Sequence, residues 1–279
     1  MIFSKINITF TLYVIIINMN RMVSFMKNEK TIYTFKSGDI KVVEFTNQLN
    51  EKMLAMKTKN ASFSTTLTGD KKYSLFYPYY LLYNIPLMVN KNIQDTLVLG
   101  GGGFTYPKYY ISKYLDKKMD VVEIDKEIID VAKEYFFVND LFDEYDNNHE
   151  RLRIYNNDAL QFVNDSKKNY DYIFLDIFVD NEPLDIFLTE KFTNKIHSLI
   201  NSNGFYGINY ILNKKKETKF KNYLLLLESI FKKVFLVTLS DNYKDNYGNI
   251  YILCSDNKDF SLKIKSMYDV IILNNNDFK

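Results

Sequence analysis

Glycines and carboxylates recur in the middle of this chain at a spacing typical of a nucleoside-binding site. An apolar run at residues 95–99 leads directly into four glycines, Gly100 to Gly103, and a second apolar run ends on Glu123 twenty residues later. In an open parallel sheet, ligands bind outside the carboxyl ends of the strands, and glycines let the backbone approach the ligand closely. A carboxylate at the tip of the second strand can accept hydrogen bonds from both hydroxyls of a ribose. The pattern predicts a nucleoside pocket; the alternative is that the glycines only make a tight turn.

The residues after the glycines indicate which nucleoside is expected. A dinucleotide fingerprint has a third glycine at the start of its helix, but here Phe104, Thr105 and Tyr106 follow, and Pro107 suits the first turn of a helix. This favours an uncharged or cationic ligand over a pyrophosphate. S-adenosylmethionine and its decarboxylated form lack phosphate and carry a sulfonium, which aromatic faces such as Phe104 or Tyr106 attract.

Two further acids follow later strands. Asp158 lies just past the third strand, where a carboxylate can accept the exocyclic amine of adenine while Ala159 leaves space for the ring. The alternative for Asp158 is a helix N-cap, a position that Asp favours. The fourth strand ends on Asp176, a position suited to chemistry at the ligand edge of the sheet, with Asp180 in the loop beyond. The alternative there is a loop of solvated acids.

Strand and helix patterns alternate from residue 93 onwards, which predicts an α/β domain with a parallel sheet. We predict strands near 95–99, 119–124, 152–155, 171–175, 204–210, 233–239 and 249–254. We predict helices near 107–116, 126–137, 158–166, 188–201 and 216–231. The last two strands are joined by a turn-rich loop without a helix, so they should pair antiparallel. This is the plan of the Rossmann-like, seven-stranded S-adenosylmethionine-dependent transferase fold.

The rest of the chain divides into two shorter parts. Residues 26–92 are expected to form a small N-terminal β module, with a hairpin over 31–45, strands at 61–67 and 73–77, and a helical stretch from Pro78 to Val89. In the first 25 residues, the apolar stretch 6–17 is shorter than the ~20 residues that span a bilayer, and no small-residue cleavage site follows it. We expect an over-extended upstream start, with an apolar leader (a membrane anchor or an export signal) as the alternative.

Composition excludes several classes of function. The 36 basic and 34 acidic residues are intermixed and the net charge is +2, so no nucleic-acid footprint is expected. The single Cys254 excludes an intramolecular disulfide and a multi-cysteine metal site, and suits a reducing compartment. The two histidines have no ligand spacing around them. We therefore expect a cytoplasmic protein with no metal, no nucleic-acid partner and no membrane partner.

Taken together, these blocks resemble the spermidine synthase (polyamine aminopropyltransferase) family, in a divergent branch. The resemblance runs from about Tyr33 to about Asn209. It is carried by Leu97-Val-Leu-Gly-Gly-Gly-Gly103, Val122-Glu-Ile-Asp125, Arg151 to Ala159, Tyr170-Asp-Tyr-Ile-Phe-Leu-Asp176 and Asn203-Gly-Phe.

The resemblance implies an N-terminal β module before a Rossmann-like domain, a dimer or tetramer, and decarboxylated S-adenosylmethionine as aminopropyl donor. Of the two oligomers we expect a homodimer. On the family pattern, Glu123 matches the ribose ligand, Asp158 the adenine ligand and Asp176 the carboxylate at the transfer site. The residues assigned to the donor pocket are Gly100, Gly101, Gly102, Gly103, Glu123, Asp125, Asp158 and Ala159.

The acceptor side departs from the family pattern. The family usually has an Asp after three glycines, a Tyr–His or Tyr–Gln pair before the first strand, and a second Asp three residues past the strand-four Asp. This chain has Gly103, Pro78-Tyr79 and Val179 at those places. We assign the catalytic role to Asp176, with Asp180 and Tyr79 compensating from neighbouring positions.

The expected function is aminopropyl transfer to a polyamine such as putrescine. Two alternatives stay open. One is methyl transfer from S-adenosylmethionine to an unknown acceptor, and the other is nucleoside binding without turnover.

Overall fold

The structure is a computed structural model that describes residues 27–59, 62–75, 79–179, 182–183, 185–212, 217–239, 248–257, 260 and 270–273. The N-terminal segment 1–25, on which we predicted an upstream start or an apolar leader, lies outside these residues. So do Pro78 and Asp180.

The N-terminal part forms a four-stranded antiparallel sheet in which each strand pairs with the next. Its strands are β1 (Lys27–Thr34), β2 (Lys41–Thr46), β3 (Lys52–Lys57) and β4 (Ser62–Leu67). The predicted hairpin and the strand at 61–67 are present. The predicted strand at 73–77 is wrong over its described part, because residues 69–71 form a 3-10 turn and residues 72–74 continue it as turn and bend.

Strand β3 escaped prediction because it is buried on both faces and has no polar–apolar alternation. Met53 and Ala55 pack in one apolar cluster and Leu54 and Met56 in another, on opposite sides of the sheet. Alternation marks only a half-buried strand, and a short continuous apolar run does not distinguish a strand from a helix.

The remaining strands lie between residues 95 and 273. In chain order they are β5 (Asp95–Leu99), β6 (Lys118–Glu123), β7 (Leu152–Asn156), β8 (Tyr170–Leu175), the short pair β9 (Phe178–Val179) and β10 (Glu182–Pro183), β11 (Ile200–Leu212), β12 (Lys233–Leu239), β13 (Gly248–Ser255) and β14 (Val270–Leu273). The main sheet has the order β14-β12-β13-β11-β8-β5-β6-β7. All seven predicted strands are present, and β14 adds an edge strand that the sequence analysis did not assign.

The strand directions are those expected. Strands β5, β6, β7, β8 and β11 pair in parallel, while β13 is antiparallel to both β11 and β12. The chain runs outward from β5 through β6 to β7 and then returns to place β8 on the other side of β5. Strand order therefore reverses between β5 and β8, and their carboxyl ends flank the crevice where such sheets bind ligands.

Helices cover the main sheet and precede it. They are α1 (Tyr79–Tyr83), α2 (Ile85–Val89), α3 (Thr105–Lys113), α4 (Lys126–Tyr135), α5 (Val138–Tyr145), α6 (Ala159–Asp165), α7 (Glu190–Ser198) and α8 (Glu217–Ile230). The five predicted helices of this domain are present. Helix α5 was missed because it follows α4 in the same connection, after a turn at Phe137 with φ +63°. No helix within the described ranges has both the length and the apolar character needed to cross a bilayer.

Three consecutive residues of β4 contact the segment after β5. The amide of Gly103 donates to Ser64 Oγ (2.8 Å), the Thr105 hydroxyl donates to the carbonyl of residue 65 (3.0 Å), and Lys108 Nζ donates to Thr66 Oγ1 (3.0 Å). We refer to these three hydrogen bonds as the β4 contact. It fixes the N-terminal sheet directly against the glycine loop.

Candidate active site

A cavity of about 680 Å³ opens at the carboxyl ends of β5, β6 and β8. The main sheet supplies the glycine loop and the acids beyond the strands, and the N-terminal sheet supplies Ile40, Thr58, Phe63 and Ser64. The volume is in the range of small-molecule sites. The cavity lies where the switch in strand order predicted it.

The glycine loop begins with a residue that only glycine can occupy. Gly100 has φ +99°, and a Cβ there would lie 2.3 Å from the carbonyl oxygen of Asp176. Gly100, Gly101 and Gly102 line the cavity. Gly103 points away from it, where a Cβ would lie 2.8 Å from Phe136 and 2.9 Å from Ser64. Ser64 and Phe136 therefore fill the space that a side chain at position 103 would need.

Glu123 supports the glycine loop from the tip of β6. Its Oε2 accepts hydrogen bonds from the amides of Gly101 (2.9 Å) and Gly102 (3.1 Å), and its Oε1 accepts one from the amide of Asp125 (3.0 Å). The side chain lines the cavity, although the residue is only 8% exposed. Because each carboxylate oxygen can accept about two hydrogen bonds, Oε1 retains capacity for a ligand hydroxyl.

Asp125 and Asp158 are both helix N-caps at the cavity. Asp125 Oδ1 accepts from the amide of Glu127 (2.8 Å), and Asp158 Oδ1 accepts from the amide of Gln161 (2.9 Å). The N-cap alternative for Asp158 is thus present in the structure. Both residues also line the cavity, and within the described part of the chain neither Oδ2 has a hydrogen bond. Each carboxylate can therefore cap its helix and still accept from a ligand.

Ile124 is a cavity residue that sequence reasoning missed. It stands between Glu123 and Asp125, lines the cavity and is 66% exposed. Ala159, beside Asp158, is a second apolar lining residue. An exposed apolar side chain between two strand-tip acids is the signal that would have found Ile124, because a flat base needs apolar contacts on its faces.

Asp176 is the acid at the end of β8. Its Oδ1 accepts from Asn209 Nδ2 (2.8 Å), and Asn209 Oδ1 in turn accepts from Asn249 Nδ2 (2.9 Å). Burial raises the pKa of Asp176 to about 6, and the hydrogen bond from Asn209 opposes this rise. A carboxyl group with such a pKa in a cavity is a candidate proton acceptor near neutral pH. Neither asparagine was identified from the sequence.

The side chains of the other two predicted catalytic residues, Tyr79 and Asp180, lie outside the described part of the structure. Tyr79 begins α1, but the described part of the structure contains its backbone only. Asp180 lies outside the described residues, between β9 and β10. Their assignment stays a prediction.

Of the two aromatic residues predicted to face a sulfonium, only Tyr106 reaches the cavity. Its hydroxyl donates to the carbonyl of Tyr83 (3.2 Å). Phe104 is fully buried, and its ring packs beneath Gly101. The expectation for Phe104 is therefore corrected: its ring supports the glycine loop from below.

The charge of the cavity is uniform in sign. Among the described lining residues, every charged side chain is a carboxylate: Glu123, Asp125, Asp158 and Asp176. No group of three or more His, Cys, Asp or Glu side chains in the described ranges has the arrangement of a metal site. Such a cavity favours a cationic ligand.

Comparison with known proteins gives a consistent result. The model of the spermine/spermidine synthase domain matches residues 77–222, just over half of the chain. The polyamine aminopropyltransferase of Alkaliphilus metalliredigens is 33% identical over 96 residues, which are 34% of this chain and 32% of that protein. Across the first curated relatives, the chain spans between about a third and about half of their length.

Two solved structures share the fold. A probable spermidine synthase from Corynebacterium glutamicum has a TM-score of 0.67 and 19% identity, covering 85% of this chain and 82% of that one. A spermidine synthase in complex with the transition state analogue AdoDATO has a TM-score of 0.62 and 17% identity, covering 81% and 74%.

Proposed function

Because the chain belongs to the spermine/spermidine synthase domain family, we propose that it transfers an aminopropyl group from decarboxylated S-adenosylmethionine to a small amine such as putrescine. The curated relatives are named polyamine aminopropyltransferases. One spermidine synthase of this fold has been solved in complex with the transition state analogue AdoDATO.

The charge of the cavity carries the proposal. Its described charged lining is entirely anionic, which suits a donor with a sulfonium and a terminal ammonium, and an acceptor that is itself an amine. Intact S-adenosylmethionine also bears a carboxylate, which would need cations or free amides. The amides of Gly101 and Gly102 already donate to Glu123. The cavity therefore favours the decarboxylated donor.

Each lining acid then has a role. Glu123 accepts from the ribose hydroxyls, Asp158 accepts from the adenine amine, and Asp125 completes the acidic rim. Ile124 and Ala159 supply apolar contacts to the base. These groups hold the donor so that the carbon next to sulfur faces Asp176, and this positioning supplies much of the rate.

The reaction needs one proton acceptor. An ammonium group of the amine substrate gives a proton to the ionised Asp176. The freed nitrogen lone pair then attacks the aminopropyl carbon that is bonded to the sulfonium. The carbon–sulfur bond breaks, its electron pair stays on sulfur, and neutral methylthioadenosine leaves. Asp176 later releases its proton to water. Tyr79 and Asp180 are proposed to contact the acceptor from neighbouring positions.

The test mixes the purified protein with decarboxylated S-adenosylmethionine and either putrescine or spermidine, and follows methylthioadenosine by chromatography. We expect release with at least one amine, and loss of release in Asp176→Asn. Formation of S-adenosylhomocysteine from intact S-adenosylmethionine, without methylthioadenosine release from either amine, would instead establish methyl transfer. Calorimetric binding of methylthioadenosine with no turnover would establish a nucleoside-binding protein. Sedimentation tests the predicted homodimer separately.

A further inference from the structure

Three side chains on neighbouring strands form one line of hydrogen bonds that ends at the cavity. Asn249 on β13 donates to Asn209 on β11 (2.9 Å), and Asn209 donates to Asp176 after β8 (2.8 Å). The hydroxyl of Thr238 on β12 donates to the backbone carbonyl of Asn249 (2.8 Å), which ties the start of the line to the next strand.

The line has a direction that chemistry imposes. An ionised carboxylate only accepts hydrogen bonds, so Asn209 has to present its NH₂ group to Asp176. Its carbonyl oxygen then faces the other way and needs a donor, which the NH₂ group of Asn249 supplies. Asn249 therefore stabilises the orientation of the Asn209 amide that the ionised Asp176 requires.

We propose that Asn249 and Asn209 act as a directional relay that holds Oδ1 of Asp176 and leaves Oδ2 for the incoming amine. Both asparagines are then positioning residues, because they act on the reaction only through Asp176. The part of the proposal that concerns the amine rests on the proposed transfer function. The relay itself does not, and it can be tested without turnover.

The ionisation of Asp176 reports on the relay. Its pKa is about 6, where burial is the larger cause and the Asn209 hydrogen bond acts against it. No charged side chain among the described residues adds to these two causes. The other ionisable residues lining the described cavity are Tyr80, Tyr106, Glu123, Asp125 and Asp158.

The decisive variant is Asn249→Asp, which keeps the size of the side chain but replaces the donor with a second acceptor. The two carboxylates then compete for the NH₂ group of Asn209, and when it turns towards position 249 its carbonyl oxygen faces Asp176. Asp176 can satisfy that oxygen only when protonated, so its pKa is expected to rise by about one unit or more. The measurement is a carboxyl-carbon NMR titration of ¹³C-labelled aspartate, with the Asp176 signal assigned from Asp176→Asn.

The new carboxylate also repels Asp176 directly, so a control has to separate charge from direction. Asn209→Leu removes the middle of the relay, and the double variant Asn209→Leu/Asn249→Asp carries the new charge without it. Asn209→Leu alone should raise the Asp176 pKa, since it removes the opposing hydrogen bond. The Asn249→Asp substitution should then shift it much less in the Asn209→Leu background than in the parent. Equal shifts in the two backgrounds, or an Asn209→Leu variant with the parent titration, would overturn the relay.

Turnover gives an independent readout. In Asn249→Asp, methylthioadenosine release at pH 7 should fall about twofold if the Asp176 pKa rises by one unit and about tenfold if it rises by two, and it should recover towards pH 9 as Asp176 becomes ionised. Methylthioadenosine affinity should stay at the parental value, which also shows that the variant is folded. If the titrations behave as expected but no amine gives release, the relay stands and the proposed function fails. If release occurs with a parental pH profile in Asn249→Asp, the transfer stands and the relay fails.

Discussion

Replacing Lys108 with methionine is expected to stabilise the protein at neutral pH. Lys108 lies on α3 and is fully buried, and its Nζ donates to Thr66 Oγ1 (3.0 Å) and to the carbonyl of Lys72 (3.2 Å). No carboxylate in the described residues forms an ion pair with it. Desolvation lowers the pKa of Lys108 to about 7; the nearby Lys72 adds to this, and Asp140 opposes it.

The size and sign of the effect follow from linkage. An unfolded lysine has a pKa of about 10.4, so a folded value near 7 corresponds to a destabilisation of about 4–5 kcal/mol that is fully present below pH 7. Between these two values the unfolded chain holds a proton that the folded chain lacks, so stability rises with pH. From pH 7 to pH 9 the Lys108 contribution should recover by about 2 kcal/mol.

The assay is urea unfolding of the parent and Lys108→Met at pH 7, 8 and 9. The lost hydrogen bonds change stability equally at every pH, so only the ionisation makes the difference between the two proteins pH-dependent. We expect the advantage of the variant to shrink by about 2 kcal/mol over this range. Lys113→Met, at an exposed site on the same helix, should show no such trend. A parent–variant difference that stays constant from pH 7 to 9 would refute the reasoning.

Three other substitutions test the cavity. Gly100→Ala should abolish methylthioadenosine binding in calorimetry, because its Cβ would lie 2.3 Å from the carbonyl oxygen of Asp176. The control is Gly38→Ala, where φ is +79° but no atom lies near the added Cβ. It should lower the free energy of unfolding by only ~1–2 kcal/mol, the cost of a left-handed backbone for alanine. Glu123→Gln should weaken that binding by about 1.5–3 kcal/mol, the range for hydrogen bonds to a charged group, and parental affinity would contradict the pocket assignment. Asp176→Asn should slow methylthioadenosine release by about 10²–10⁴-fold with binding unchanged. In the parent, release should decline as pH falls through about 6, where Asp176 takes up a proton.

Local sequence signals predicted much of the fold. Apolar runs that end on glycine or acid marked β5, β6 and β8, and Asp125 and Asp158 stand at the starts of α4 and α6 as N-caps. These features depend on neighbours within a few residues, so periodicity and capping preference are enough to find them.

The parts that escaped prediction depend on contacts between distant residues. Asn209 and Asn249 meet only because β11 and β13 pair, and nothing in either local sequence indicates that partnership. Lys108 reads as a surface residue, because lysine is almost never fully buried, until β4 is packed over it. The packing beside Gly103 likewise depends on Ser64, which lies 39 residues earlier and accepts a hydrogen bond from the Gly103 amide.

The β4 contact limits how the chain can be cut at residue 92, the predicted boundary between the N-terminal β module and the α/β domain. A fragment that began at residue 93 would retain every strand of the main sheet, yet the Gly103 amide, the Thr105 hydroxyl and the Lys108 ammonium would lose their partners in β4. The cavity would also lose the wall formed by Ile40, Phe63 and other N-terminal residues. A chimera that took only the N-terminal sheet from a relative would pair that relative's β4 with the glycine loop of this chain, and the β4 contact would no longer match on both sides. The segments 62–67 and 100–108 are therefore the natural unit of exchange, although 32 residues of chain separate them.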